Sequence, residues 1–240
     1  MSLKKKFNIW MGAILVIAVA GAGTIVYGEL HRSTRAQAVE TASLLMASAE
    51  ATRIYTTEFI KPQLDKRLDI EFLPQSVPAF AATETVITLR KQFPEFTYKE
   101  ATLNPTNPRD RASDWEADLV NSFRADWAQS QIVGERMQGS IPELYVAKPI
   151  KVSSPSCLTC HSTPSAAPAS MIRLYGEANG FGWKMDEIVG AQIVSVPLSA
   201  SDEATRRTFT IVVSALVAIA LLVLGVGNLL IGKSGAGKTN

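Results

Sequence analysis

Two uncharged apolar runs stand near the ends of the chain, and a mixed apolar and polar stretch lies between them. Ile9 to Gly28 is 20 residues without a charge and Phe209 to Ile231 is 23. Each is long enough to cross about 30 Å of hydrocarbon as a helix. Between them, Val39, Ala42, Met46, Ala49, Arg53 and Ile60 recur at helical steps, which predicts a long helix over 29–60 that continues from the first apolar run and stops before Pro62. A second helix is predicted over 75–92. Trp115, Leu119, Phe123 and Trp127 fall at i, i+4, i+8 and i+12 and predict a third over 114–130. Residues 96–103, 144–152 and 191–198 read as strands, and Asn104-Pro105-Thr106-Asn107-Pro108 as a turn-rich loop. Such a set predicts an α+β class, with an antiparallel sheet and helices segregated around it.

Composition and charge turn this pattern into a topology. A chain with 47% hydrophobic and 19% charged residues is too apolar for a simple soluble domain and too polar for a multi-span transporter. Lys4, Lys5 and Lys6 followed by small residues at 20–23 fit a cleavable signal peptide, but the apolar run exceeds the usual 7 to 15 residues, which favours a retained signal anchor. The two ends carry five lysines and no acidic residue. Residues 29–208 hold 19 Lys/Arg and 22 Asp/Glu, a net of −3. By the positive-inside rule both termini are expected in the cytoplasm. The expected organisation is therefore a cytoplasmic N-terminus 1–8, a membrane helix 9–28, one periplasmic domain 29–208, a membrane helix 209–231 and a cytoplasmic tail 232–240, in a bacterial inner membrane. Ala18-x-x-x-Ala22 and Ser214-x-x-x-Ala218 permit close helix packing and so a homodimer within the lipid bilayer.

The candidate chemistry sits in Cys157-Leu158-Thr159-Cys160-His161, which contains both cysteines of the chain. C-x-x-C-H reads as a c-type haem attachment site: each thiol forms a thioether to one vinyl group, and the following imidazole becomes the proximal iron ligand. A redox dithiol, half of a zinc site and a plain disulfide are the alternatives. Zinc lacks ligands, because the second histidine, His31, lies beside a membrane run. A thioredoxin-like dithiol begins a helix in a βαβ unit, whereas Pro155, Ser156, Ser162, Thr163 and Pro164 suggest a loop. An oxidising periplasm agrees with the haem reading.

Several stretches resemble one family, the bacterial c-type haem-binding domains of PAS-like fold found as extracytoplasmic parts of membrane-bound sensors. They are Arg53-Ile54-Tyr55-Thr56 with Lys61-Pro62, residues 93–99, residues 104–108 ahead of Trp115-Glu116, the C-x-x-C-H, and Tyr175-Gly176 with Gly180-Phe181-Gly182-Trp183. The resemblance implies a five-stranded PAS-like sheet, one covalent haem c, and Arg53 and Tyr55 among the cofactor-binding residues with Cys157, Cys160 and His161. For the distal ligand, methionine is the next usual choice. The extramembrane candidates are Met46, Met137, Met171 and Met185, with His31 set aside for its closeness to the bilayer. Met46 is favoured because it shares a helix face with Arg53, about 10.5 Å along the axis.

Gly232-Lys233-Ser234-Gly235-Ala236-Gly237-Lys238-Thr239 matches G-x-x-x-x-G-K-T. A P-loop joins a strand to a helix and needs a downstream acidic residue, whereas this one follows an apolar helix, so a basic tail that does not bind ATP is expected. Nucleic acid is not an expected partner either. A redox or small-ligand sensor acting through a partner protein is the leading functional expectation, and an electron-transfer cytochrome c subunit of a membrane complex is the alternative. No nucleophile constellation points to an enzyme.

Overall fold

The computed structural model describes residues 3–236. They divide into two compact units, Gln37–Leu198 and the two terminal helical stretches 3–36 and 199–236.

Gln37–Leu198 is built on four antiparallel strands: β1 (Thr97–Thr102), β2 (Ile132–Gln138), β3 (Ile141–Lys151) and β4 (Ile188–Pro197), in spatial order β1-β4-β3-β2. This is the predicted α+β class. β4 is buried at every position but its last, because both of its faces are covered. On one face Ala147, Ala191 and Ile193 pack against Leu119, Val120 and Phe123 of helix α4 (Asp114–Ala125). On the other, Leu144, Val146, Val194 and Val196 pack against Ala38, Ala42 and Met46 of helix α1 (Leu3–Tyr55). Period-2 alternation on the strands meets period-3.6 stripes on the helices, and the apolar sets coincide. β2 and β3 form a hairpin through Gly139-Ser140, with Gly139 at φ 62, as the tight primed turns require.

The resemblance implied five strands, and four are present among the described residues. β1 occupies a free edge, and the chain that follows it carries Pro105 and Pro108, which lack the N–H a ladder needs. That segment forms a 3₁₀ turn (Pro108–Asp110) and then pairs with β1 at one isolated backbone bridge, Thr102 to Arg111.

Three helix boundaries also differ from expectation. Pro62 does not stop the long helix: α1 passes through a π turn (Thr56–Ile60) into a short helix α2 (Lys61–Leu64), where Pro62 lies in the first turn. The Lys61 N–H bonds the Thr56 carbonyl five residues back, and a proline in a first turn loses no helical hydrogen bond. The helix predicted over 75–92 is a 3₁₀ turn (Pro74–Ser76) and then α3 (Pro78–Leu89). Val77 between them is extended, the conformation a following proline imposes. α4 starts with a Ser113/Glu116 capping box but stops at Ala125 rather than 130. Asp126 turns its carboxylate onto the Ala128 N–H, and Trp127, read as part of the apolar stripe, is 82% exposed.

In the other unit α1 and α7 (Ser199–Ala236) run antiparallel. Asn228 donates to Asn8 at 2.8 Å, Tyr27 meets Phe209 edge-on at 5.7 Å, and Thr34 and Thr205 hydroxyls bond at 2.6 Å. Both helices are long and apolar enough to cross a membrane. Only 6% and 0% of their most apolar windows are buried in the protein, so those windows are not part of a globular core. Gly237, Lys238 and Thr239 of the P-loop-like tail lie outside the described residues.

Candidate functional site

The C-x-x-C-H segment is helical. α5 (Pro155–His161) starts at Ser154, whose hydroxyl accepts from the Ser156 N–H, with Pro155 at the first position where its missing N–H loses nothing. This corrects the loop expected from the flanking prolines and serines. Cys157 and Cys160, three residues apart, share a helix side and are partly buried free thiols. The βαβ setting of a thioredoxin-type dithiol is not found around it, since the sheet is antiparallel throughout. Burial pushes the Cys160 thiol above its ordinary range, opposed by the Lys61 ammonium, so it is not an activated redox thiolate. Among the described residues no group of three His, Cys, Asp or Glu is placed to hold a metal ion.

His161 ends α5 and is held from three directions. Its Nδ1 lies 2.8 Å from the Gly180 carbonyl oxygen. A carbonyl only accepts, so Nδ1 carries the proton and Nε2 keeps a free lone pair. The Thr106 hydroxyl is 3.5 Å from Nδ1, at the limit of a hydrogen bond and clearly second to Gly180. Trp183 stacks on the imidazole with ring centroids 3.9 Å apart and planes 14° from parallel. Burial lowers the imidazole pKa and outweighs the Gly180 bond, so the ring is neutral, the form that binds a metal.

The loop behind His161 has its own supports. Gly182 N–H bonds the Ser162 carbonyl at 2.9 Å, and Trp183 N–H bonds the His161 carbonyl at 3.1 Å. Asn104, from the segment after β1, accepts from the Gly180 N–H at 3.2 Å and donates to the Phe181 carbonyl at 3.3 Å. Gly180 is at φ +87, and a Cβ there would lie 2.0 Å from the Thr106 hydroxyl oxygen and 2.9 Å from its Cα. Glycine is required on both counts. The arrangement presents two free thiols and one imidazole lone pair from a single short helix, two nucleophilic sulfurs and one nitrogen able to coordinate a metal.

The other residues singled out from the sequence are elsewhere. Met46, the expected distal ligand, is 1% exposed and packs against Leu144, Val146 and Val194 of the sheet. Arg53 does lie on the same side of α1 as Met46, over the sheet. Its guanidinium is engaged there, 2.6 Å from Glu100 Oε1, and Tyr98 donates to the same oxygen at 2.7 Å. Arg53, expected among the cofactor-binding residues, is thus paired with a buried carboxylate. Tyr55 is 57% exposed and stacks on Phe59 at 5.5 Å, an aromatic pair left in solvent just before Lys61. Met171 is buried, while Met137 and Met185 are exposed. His31 belongs to the terminal helical unit, stacked on Tyr27. Asn104, Thr106, Gly180 and Trp183 had no role assigned from the sequence; the signal was that 104–108 and Gly180-Phe181-Gly182-Trp183 both fall among the stretches that carry the resemblance.

A family model described as Tll0287-like matches residues 31–197, 167 of the 240 positions. The chain belongs to the Tll0287-like family. Its matched region takes in α5, the Asn104 segment and the Gly180 loop. Among solved structures, the cyanobacterial haem protein Tll0287 aligns with 66% of this chain and 94% of its own length, at 15% identity and a TM-score of 0.52, which shows a shared fold. No curated protein matches the chain.

Proposed function

We propose that this Tll0287-like protein is a membrane-anchored monohaem c-type protein whose domain faces the periplasm, where it senses redox state or a small ligand and acts through a partner protein. Cys157 and Cys160 would hold the haem through thioethers, and His161 Nε2 would be the proximal ligand. When bound, the haem supplies one-electron redox chemistry or a site for a small ligand at iron. The observation that carries the reading is the Nδ1 bond to Gly180, which leaves Nε2 deprotonated beside two free thiols on one helix. The haem protein of the same fold supports it. The packing of Met46 against Leu144, Val146 and Val194 supports an iron without that methionine as distal ligand, and so supports sensing.

The test is a haem stain of denaturing gels. The full-length chain should keep the stain on a 25.9 kDa band, and Cys157→Ala with Cys160→Ala should abolish it. Equal staining of the double variant would refute covalent attachment. Carbon monoxide then separates the roles: binding to the reduced protein supports sensing, whereas an inert six-coordinate iron supports the electron-transfer alternative.

A further inference from the structure

The Asn104 carboxamide touches neither cysteine nor the His161 ring, yet it fixes the peptide group on which that ring depends. Its two hydrogen bonds run in opposite senses, accepting from Gly180 N–H and donating to Phe181 C=O. The carbonyl between those two contacts, that of Gly180, is the acceptor for His161 Nδ1 at 2.8 Å. A residue at positive φ with no side chain has the widest conformational freedom of any, so the direction of the Gly180 carbonyl must be set from outside. Gly182 and Trp183 tie the loop to His161 and Ser162 on its far side, and Asn104 ties it on the near side.

We propose that Asn104 is a positioning residue that tunes His161 as an iron ligand by holding the Gly180 carbonyl on Nδ1–H; this rests on the haem reading above. A firmly held acceptor makes the imidazole a stronger donor to iron and favours the ferric state. Releasing the carbonyl weakens that preference and raises the reduction potential. The segment after β1 thereby becomes part of the site although it brings no iron ligand of its own.

The experiment compares the purified full-length haem protein with Asn104→Leu, which has similar size and neither hydrogen bond, and with Asn104→Asp, which keeps the acceptor for Gly180 N–H and loses the donor to Phe181. Thr106→Val is the control for the 3.5 Å contact. Gel staining, redox titration and the ferric electron paramagnetic resonance spectrum are recorded for each. The expected result is full staining throughout. Asn104→Leu should lose about tenfold of the ferric preference, read as a rise of about 59 mV for one electron, with an altered axial-ligand signal. Asn104→Asp should shift less, and Thr106→Val not at all. A merely structural role would lower the melting temperature of the Asn104 variants and leave potential and spectrum where they are, which would overturn the proposal. If Asn104→Leu fails to fold, the Asp variant decides alone, an unmoved potential again being fatal. Absence of stain in the unmutated protein would instead sink the haem reading itself.

Discussion

Asp110 closes the 3₁₀ turn that follows β1, with its carboxylate 3.7 Å from the Arg109 guanidinium. Burial is the largest influence and raises its pKa from the ordinary 3.8 to about 6, with Arg109 opposing and Glu100 adding to the rise. A carboxyl raised on folding favours the folded state while it is protonated. That contribution is complete below pH 3.8 and is lost as the pH climbs through about 6. At 1.36 kcal/mol per pH unit the loss is no more than about 3 kcal/mol. Asp110→Asn should therefore gain stability relative to the parent between pH 4 and 6 and hold a constant advantage above it, checked by thermal melts across pH 4 to 8. A gap that grows toward low pH would contradict this.

α1 lies over one sheet face as a stripe of Ala38, Ala42 and Met46, with Arg53 bound to Glu100 further along. That stripe was legible because helical spacing selects one face whatever it later meets. What that face meets was not legible: Met46 and Arg53 share it, and it packs on Leu144, Val146, Val194 and a buried carboxylate. Sequence spacing could not show this, since the strand partners of Met46 lie 98 to 148 residues away. The Asn104 and Gly180 contact, 76 residues apart, was hidden for the same reason. The π turn was hidden for another, because proline ordinarily ends a helix and only the actual bond pattern shows how Pro62 is absorbed. If Met46 is packing, Met46→Leu should cost under about 1.5 kcal/mol and Met46→Ala about 2–5 kcal/mol in denaturant unfolding. Neither should alter the haem spectrum. A conversion of the iron to five-coordinate in Met46→Leu would restore the methionine as ligand.

At the scale of the whole molecule, the apolar ends were the most legible feature, since length and absence of charge decide what can cross a bilayer. The structure describes α1 and α7 with those runs almost wholly outside any core. Five lysines at the ends against a net of −3 between them predict both termini on the cytoplasmic side. Alkaline phosphatase fused after Ser199 should be active and the same fusion at Asn240 inactive; the reverse pattern would remove the periplasmic setting proposed for the domain. Cys157, Cys160 and His161 stood out because one short motif carries the chemistry proposed for them, whereas the contacts of Asn104, Thr106, Gly180 and Trp183 with that motif were hidden because they come from two segments far from it in sequence. The proposed function requires one haem covalently bound on α5, and intact-mass spectrometry of the purified, denatured protein decides whether it is there. The expected value is the polypeptide mass plus one haem, returning to the bare polypeptide in Cys157→Ala with Cys160→Ala; a bare mass in the unmutated protein, or one lower by the two hydrogens of a Cys157–Cys160 disulfide, would refute covalent attachment.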